Sequence, residues 1–420
     1  MIKIKVNNIN YINQKHKEYI DKNVENMLNL YLKYKSFFSD ELVEFLKIMK
    51  NDLDKLTLEE LDLNLIEYID SIYKKIKNKY LKDHVHYQNI NNIVNSVDNY
   101  KKNLNSKMSR EDRKKTLEKL IKNSKNTYDL TKVICIGDIK FSNIRIIKEH
   151  INNNTKDLYK LHKKINSLLK ENNTFLSKEP NTIDVFIRDL FNYDNFCKNN
   201  DEWCRNKLLY YMDVKVCPYC NKHYIENYIQ SSNQKKSSAE LDHYYPKSLY
   251  PYLALSIYNF IPSCSFCNGI LKKNKDFFKQ EHLYPIKEGF DDNAHFIIDY
   301  FNKNSNIDTL LGKNNNFNIN IEINTSDEAQ KIKIENSKET FQLKDRYSEE
   351  KEFVSNITKK IIVYNEFELK RVSYTIDGLF DKEEDIKEVL FGFNLNKNNL
   401  DKKPLSKLTL DLFEEYYIEE

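Results

Sequence analysis

Four cysteines stand in two pairs, Cys217-Pro218-Tyr219-Cys220 and Cys264-Ser265-Phe266-Cys267. Two C-x-x-C knuckles can give four thiolates to one tetrahedral zinc. Between them lies Leu241-Asp242-His243-Tyr244-Tyr245-Pro246-Lys247-Ser248, then Asn259; Asn268 directly follows the last cysteine. An acid, an imidazole and two carboxamides are thus gathered on one metal staple. That set suits phosphodiester hydrolysis, in which an attacking water loses its proton while the phosphate charge is neutralised. Asp242 and Asn268 offer oxygen atoms to Mg²⁺ or Mn²⁺, hard cations that need few protein ligands. His243, neutral near pH 7, suits the general base. Asn259 can orient it. Lys247, Lys272, Lys273 and Lys275 can meet phosphate oxygens, and residues 207–287 hold eleven lysines against six acidic residues. That is a local positive surface in a chain whose net charge is only +4.

The elements that position these groups read as strand, loop, strand, helix. Leu241–Tyr244 ends one strand, and successive side chains on a strand face opposite ways, which separates the roles of Asp242 and His243. Ser248–Leu255 is a loop, Ile257–Ile261 a second strand and Cys264–Lys275 a helix. Residues 1–205 are expected to be mainly helical after a short opening strand at Met1–Val6. Apolar stripes mark Tyr19–Lys35 and stretches near 60–82, 112–124, 143–152, 157–171 and 183–196. Residues 288–420 are mixed. Phe296–Tyr300 and Phe317–Ile323 alternate like strands, and 343–372 and 405–418 are helical. The expected class is therefore α+β, in three segments: 1–205 for recognition or regulation, 206–287 carrying the chemistry, and 288–420 packing on it.

These residues resemble the HNH nucleases of the ββα-metal (His-Me finger) group, over about a fifth of the chain. In that family the first strand ends in Asp-His, the second carries a central Asn, and the helix supplies a third His or Asn. Asp242, His243, Asn259 and Asn268 fall on those positions, giving an H-N-N variant. The resemblance implies a structural Zn²⁺ on Cys217, Cys220, Cys264 and Cys267, and a catalytic Mg²⁺ or Mn²⁺ on Asp242 and Asn268. It also implies His243 as base, Asn259 as its orienting partner, and products with a 5′-phosphate and a 3′-hydroxyl. A looser resemblance links "CPYCN", "LDHYYPKS" and "YNFIPSCSFCN" to HNH nucleases of bacterial anti-phage systems of the Septu and retron kinds. It implies an ATPase or other defence-system partner subunit. DNA is the favoured target, and one finger per chain leaves a homodimer open for a duplex cut.

Other readings of the same residues fit less well. A glutaredoxin-like Cys-Pro-Tyr-Cys wants no second cysteine pair. A zinc deaminase wants H-x-E and P-C-x-x-C, and Val216 precedes Cys217. A non-catalytic zinc ribbon that binds nucleic acid or acts as a scaffold explains the cysteines but not the Asp242-His243, Asn259 and Asn268 constellation. His223 is left out of the zinc set, since four thiolates already close it. Cys135, Cys197 and Cys204 read as ordinary thiols and Trp203 as core. The basic stretch Lys101–Lys125 reads as a solvated face. The absence of a long apolar run and of a signal-peptide core predicts no membrane span and a cytoplasmic protein.

Overall fold

The computed structural model describes residues 1–33, 35, 38–80, 109, 112, 182–198, 203–230, 234–300, 305–375, 383–393 and 396–416. Apart from Ser109 and Asp112, the helices expected near 112–124, 143–152 and 157–171, the basic stretch 101–125 and Cys135 lie outside the described residues. What is described is mixed: many helices and three small antiparallel sheets of two strands each. That agrees with the α+β class. No described helix is long and apolar enough to cross a membrane.

The chain divides into two compact units. One comprises Ile20–Lys55 and Leu61–Phe191; the other comprises Met1–Tyr19, Leu56–Glu60 and Asn192–Glu420. In the first, helices Asp40–Asn51, Leu63–Ile76 and Ile183–Leu190 bury Leu42, Phe45, Leu46, Ile66, Ile69, Tyr73 and Ile187. Each begins at a side-chain cap, from Ser39, Asp62 and Thr182 respectively, which satisfies amides that have no partner inside the helix. Tyr73 also donates to the Asp184 carboxylate.

The second unit carries all the candidate chemistry. Its strands are β1 (Asn227–Ile229), β2 (Lys235–Ser237), β3 (Glu240–His243), β4 (Phe260–Ser263), β5 (Ala294–Asp299) and β6 (Asn318–Ile323). They pair β1 with β2, β3 with β4 and β5 with β6. In the β3–β4 hairpin Asp242 faces Ile261 and His243 faces Phe260. Phe260 is fully buried and stacks on Phe196, which anchors that hairpin in an aromatic cluster with Tyr193 and His16. The β5–β6 pair packs under the helix Ser406–Tyr416, whose Asp411 carboxylate accepts from Phe296 N at 2.8 Å.

Three expectations shift. Met1–Val6 is extended but joins no ladder: Ile2 N donates to Pro218 O and Ile4 N to Pro285 O, so alternate residues bond to two different segments. Gly289 allows the close approach, because a Cβ there would lie 2.6 Å from Lys3 N. The second strand starts later than expected, at Phe260, because Ile257–Asn259 forms a 3₁₀ turn that swings the Asn259 side chain inward. The helix after Cys264 is a π-helix, Phe266–Lys272, closed by Lys273 N donating to Asn268 O at 2.8 Å, five residues back. The wider turn carries Lys272 into the interior and leaves Lys273 at φ 52°, a conformation with few non-glycine occupants.

Candidate metal centre and cleft

The knuckle Cys217–Cys220 is shaped by its backbone. Cys217 N bonds to His223 O, Asn221 N bonds to Cys217 O, and Asn221 takes the left-handed conformation at φ 49°. At the other knuckle Cys267 N points at Cys264 Sγ, 3.4 Å away. The two knuckles meet, although 43 residues separate Cys220 from Cys264. All four Sγ atoms lie within 4.8 Å of one another, and all four thiols are free of disulfides. Four sulfurs at about 2.3 Å around a tetrahedral zinc stand roughly 3.8 Å apart. The cluster therefore fits a metal such as zinc. Arg346 donates to Cys267 Sγ at 3.4 Å and His223 Nδ1 lies 3.4 Å from Cys220 Sγ. Such cationic neighbours offset the charge that four thiolates bring.

Next to this centre the β3–β4 hairpin and the π-helix border a cleft of about 400 Å³. Glu240, Asp242, His243, Lys247, Asn268 and Lys273 line it, with Tyr193, Arg205 and Asn274. Of the residues singled out from sequence, then, Asp242, His243, Asn268, Lys247 and Lys273 share one space. The other candidates for catalysis or phosphate contact, Asn259, Lys272 and Lys275, do not reach it.

Asn259 is fully buried and clamps the loop behind the hairpin. Its Oδ1 accepts from Tyr245 N at 2.7 Å, and its Nδ2 donates to Tyr245 O at 3.0 Å and Leu253 O at 3.2 Å. The next carbonyl along, Ala254 O, receives His243 Nε2 at 3.0 Å. Asn259 thus acts on His243 through one peptide of backbone rather than by touching the ring. Lys272 is 0 % exposed; its ammonium lies 3.0 Å from Asp242 Oδ1 and 2.7 Å from His243 O. It is an internal counter-charge and not a surface contact for phosphate. Lys275 is exposed but turned away, donating to Thr340 Oγ1.

His243 is 7 % exposed and wedged between Tyr193 and Phe260, with ring centroids at 4.5 and 5.2 Å. Burial pushes its pKa down to about 3, and the ammonium groups of Lys247 and Lys272 add to that. The ring is neutral, and because a carbonyl only accepts, Nε2 carries the proton and Nδ1 the lone pair. Asp242 is 3 % exposed, with Tyr219 OH on Oδ2 at 2.5 Å opposite the Lys272 ammonium. Asn268 donates to Glu240 Oε2 at 2.8 Å. Asp242, Asn268 and Glu240 line the same cleft, and the carboxylate oxygens of Asp242 and Glu240 keep lone pairs beyond one hydrogen bond each.

Sequence reasoning missed four participants. Glu240 was legible, since it stands two residues before Asp242 on a strand and so shares its face. Tyr219, inside the first knuckle, gives no local sign that it reaches Asp242. Arg205, which donates to Ala239 O at 2.6 Å, and Tyr193 come from helices earlier in the chain. Comparison with family models, curated proteins and solved structures finds no match to this chain.

Proposed function

We propose that this chain is a metal-dependent HNH-type endonuclease that hydrolyses nucleic-acid phosphodiesters, DNA being the favoured target. The observation that carries the reading is the fixed tautomer of His243 beside Asp242 and Asn268 in one cationic cleft. With Nε2–H committed to Ala254 O, Nδ1 is the nitrogen able to take a proton from water. Lys247, Lys273 and Arg205 supply positive charge along the wall where the backbone would run. Asp242 and Asn268 are the residues that would hold Mg²⁺ or Mn²⁺, which supplies charge neutralisation at the scissile phosphate. Zinc on the four cysteines would tie the π-helix to the first knuckle and so fix Asn268, the residue after Cys267, against β3.

The decisive assay incubates the full chain with plasmid, linear DNA and RNA under Mg²⁺, Mn²⁺ or chelator. Metal-dependent cutting by wild type, lost in His243→Ala, is the expected result; cutting by the alanine chain at the parental rate removes His243 from the chemistry. One observation favours a second reading, a non-catalytic zinc module: Asp242 is already paired with Lys272 and Tyr219. That reading predicts tight nucleic-acid binding with no cleavage under any metal. A cytoplasmic anti-phage role with an ATPase or similar partner rests on the looser sequence resemblance alone. Co-expression with a neighbouring ATPase gene, read as metal-dependent cleavage that needs both chains, tests it.

A further inference from the structure

A lysine with no exposed surface, itself outside the cleft, is paired with the carboxylate that the nuclease reading gives to the divalent cation. The Lys272 ammonium has three neighbours: Asp242 Oδ1 at 3.0 Å, His243 O at 2.7 Å and the Phe277 ring, whose centroid is 4.8 Å away. The π-turn that ends at Lys272 points it inward, and nothing in its surroundings is solvent. Its charge therefore cannot be screened away by water, as a surface lysine's would be. Asp242, the carboxylate assigned to the metal, enters the reaction already neutralised. Glu240, two residues earlier, has an amide partner in Asn268 and no ion pair among the described residues.

We propose that Lys272 is a resident counter-cation of the metal site, which makes the cleft bind a divalent cation weakly alone and tightly only together with a phosphate anion. A divalent cation arriving by itself makes three positive charges, with Lys272, against the two carboxylates of Asp242 and Glu240, and leaves the site net positive. A phosphodiester brings the missing negative charge, so metal and nucleic acid bind cooperatively. The consequence is regulatory: ordinary cellular magnesium does not load the site until a nucleic-acid backbone occupies it. Lys272 is a positioning residue here, acting through Asp242 and the His243 carbonyl. The inference rests on the nuclease reading for the identity of the anion and deepens it.

The test is Mn²⁺ affinity of the zinc-loaded full chain, read by electron paramagnetic resonance of free Mn²⁺. Lys272→Met should bind Mn²⁺ alone at least about tenfold more tightly than wild type, a step of roughly 1.4 kcal/mol. Lys272→Arg keeps the charge and should keep the weak wild-type affinity. A phosphorothioate DNA duplex, whose own binding is followed by fluorescence anisotropy, should tighten wild-type Mn²⁺ binding at least about tenfold. Equal or weaker Mn²⁺ binding by a folded Lys272→Met chain overturns the proposal. Removing one partner of a buried pair can unfold a chain. In that case the wild-type linkage decides, and a bound duplex that leaves Mn²⁺ affinity unchanged overturns it. Cleavage assays run alongside separate the two ideas. Cutting without the affinity changes sinks the counter-cation alone; the affinity change of Lys272→Met without cutting of any nucleic acid sinks the nuclease reading alone.

Discussion

Asn259→Ala is the sharpest perturbation of the hairpin loop. The substitution removes three hydrogen bonds from a residue with no exposed surface. Leu253 O keeps a partner, because it also accepts from Ser256 N. Tyr245 N and O lose theirs. Leaving a buried backbone group without a partner costs about 1–3 kcal/mol, so two such groups place the loss at about 2–6 kcal/mol. Against a total stability of roughly 5–15 kcal/mol, that is large enough to read directly in a urea titration. The second effect falls on chemistry. Ala254 O, which holds His243 Nε2, follows the carbonyl that Asn259 restrains, so the ring loses its fixed pose. A misplacement near 1 Å costs about a hundredfold in rate. None of the hydrogen bonds that Asn259 makes is to the four-cysteine cluster, so metal content measured by elemental analysis should stay at the wild-type level. An unchanged urea midpoint refutes the clamp. A large loss of stability with undiminished cleavage refutes the link from Asn259 to His243.

Other consequences are more quickly stated. His243→Ala should keep its fold and zinc yet lose about a hundredfold or more in cleavage rate, the scale of a missing general base, by plasmid nicking. Cys267→Ser should leave substoichiometric zinc by elemental analysis; wild-type zinc content in that chain contradicts the four-thiolate site. Acid should weaken the protein through its buried neutral rings: His282, lowered to about 4 by burial, is one, and His16 and His243 are two more. His16, lowered to about 4 by burial, accepts from Trp203 Nε1 on Nδ1 and bonds Leu255 O through Nε2, so only the neutral form fits both. His243 is lowered to about 3. All three groups favour the folded state fully above the unfolded pKa near 6.5 and lose that contribution as pH falls below it, by about 2 kcal/mol each for His16 and His243 at pH 5. His295, raised by the Asp411 carboxylate, offsets part of this. A urea midpoint that does not move between pH 7 and pH 5 would contradict the buried neutral rings.

How much of this was legible in the chain depends on how local the signal is. The cysteine pairs announce a metal centre because both knuckles are contiguous, and the four sulfurs do converge. Alternation at Phe296–Tyr300 and Phe317–Ile323 marks β5 and β6, though the first strand starts two residues earlier, at Ala294. Lys272 was misread as surface because the expected helix was α-helical. A π-turn changes which side chains face inward, and no composition rule announces it. Tyr219, Arg205 and Tyr193 could not be read at all, since their roles arise from contacts across 23 to 48 residues or from sharing one wall of the cleft. The opening residues misled for a related reason. Their alternation is real, but it serves two unrelated acceptors instead of a neighbouring strand.

One anchoring contact has a temporal meaning. Asn221, at the tip of the first knuckle, is fully buried and holds residues that the ribosome adds some 180 positions later: Nδ2 donates to Leu400 O at 3.2 Å and Oδ1 accepts from Lys407 N at 3.0 Å. Tyr347 caps the same turn by donating to Cys220 O at 2.8 Å. A nascent chain that has emerged only as far as Cys267 already owns every sulfur, yet lacks the struts that brace the knuckle. Contacts between such distant partners form late, because the intervening loop must close first. The braced knuckle is therefore complete only once residues 400–407 have left the ribosome.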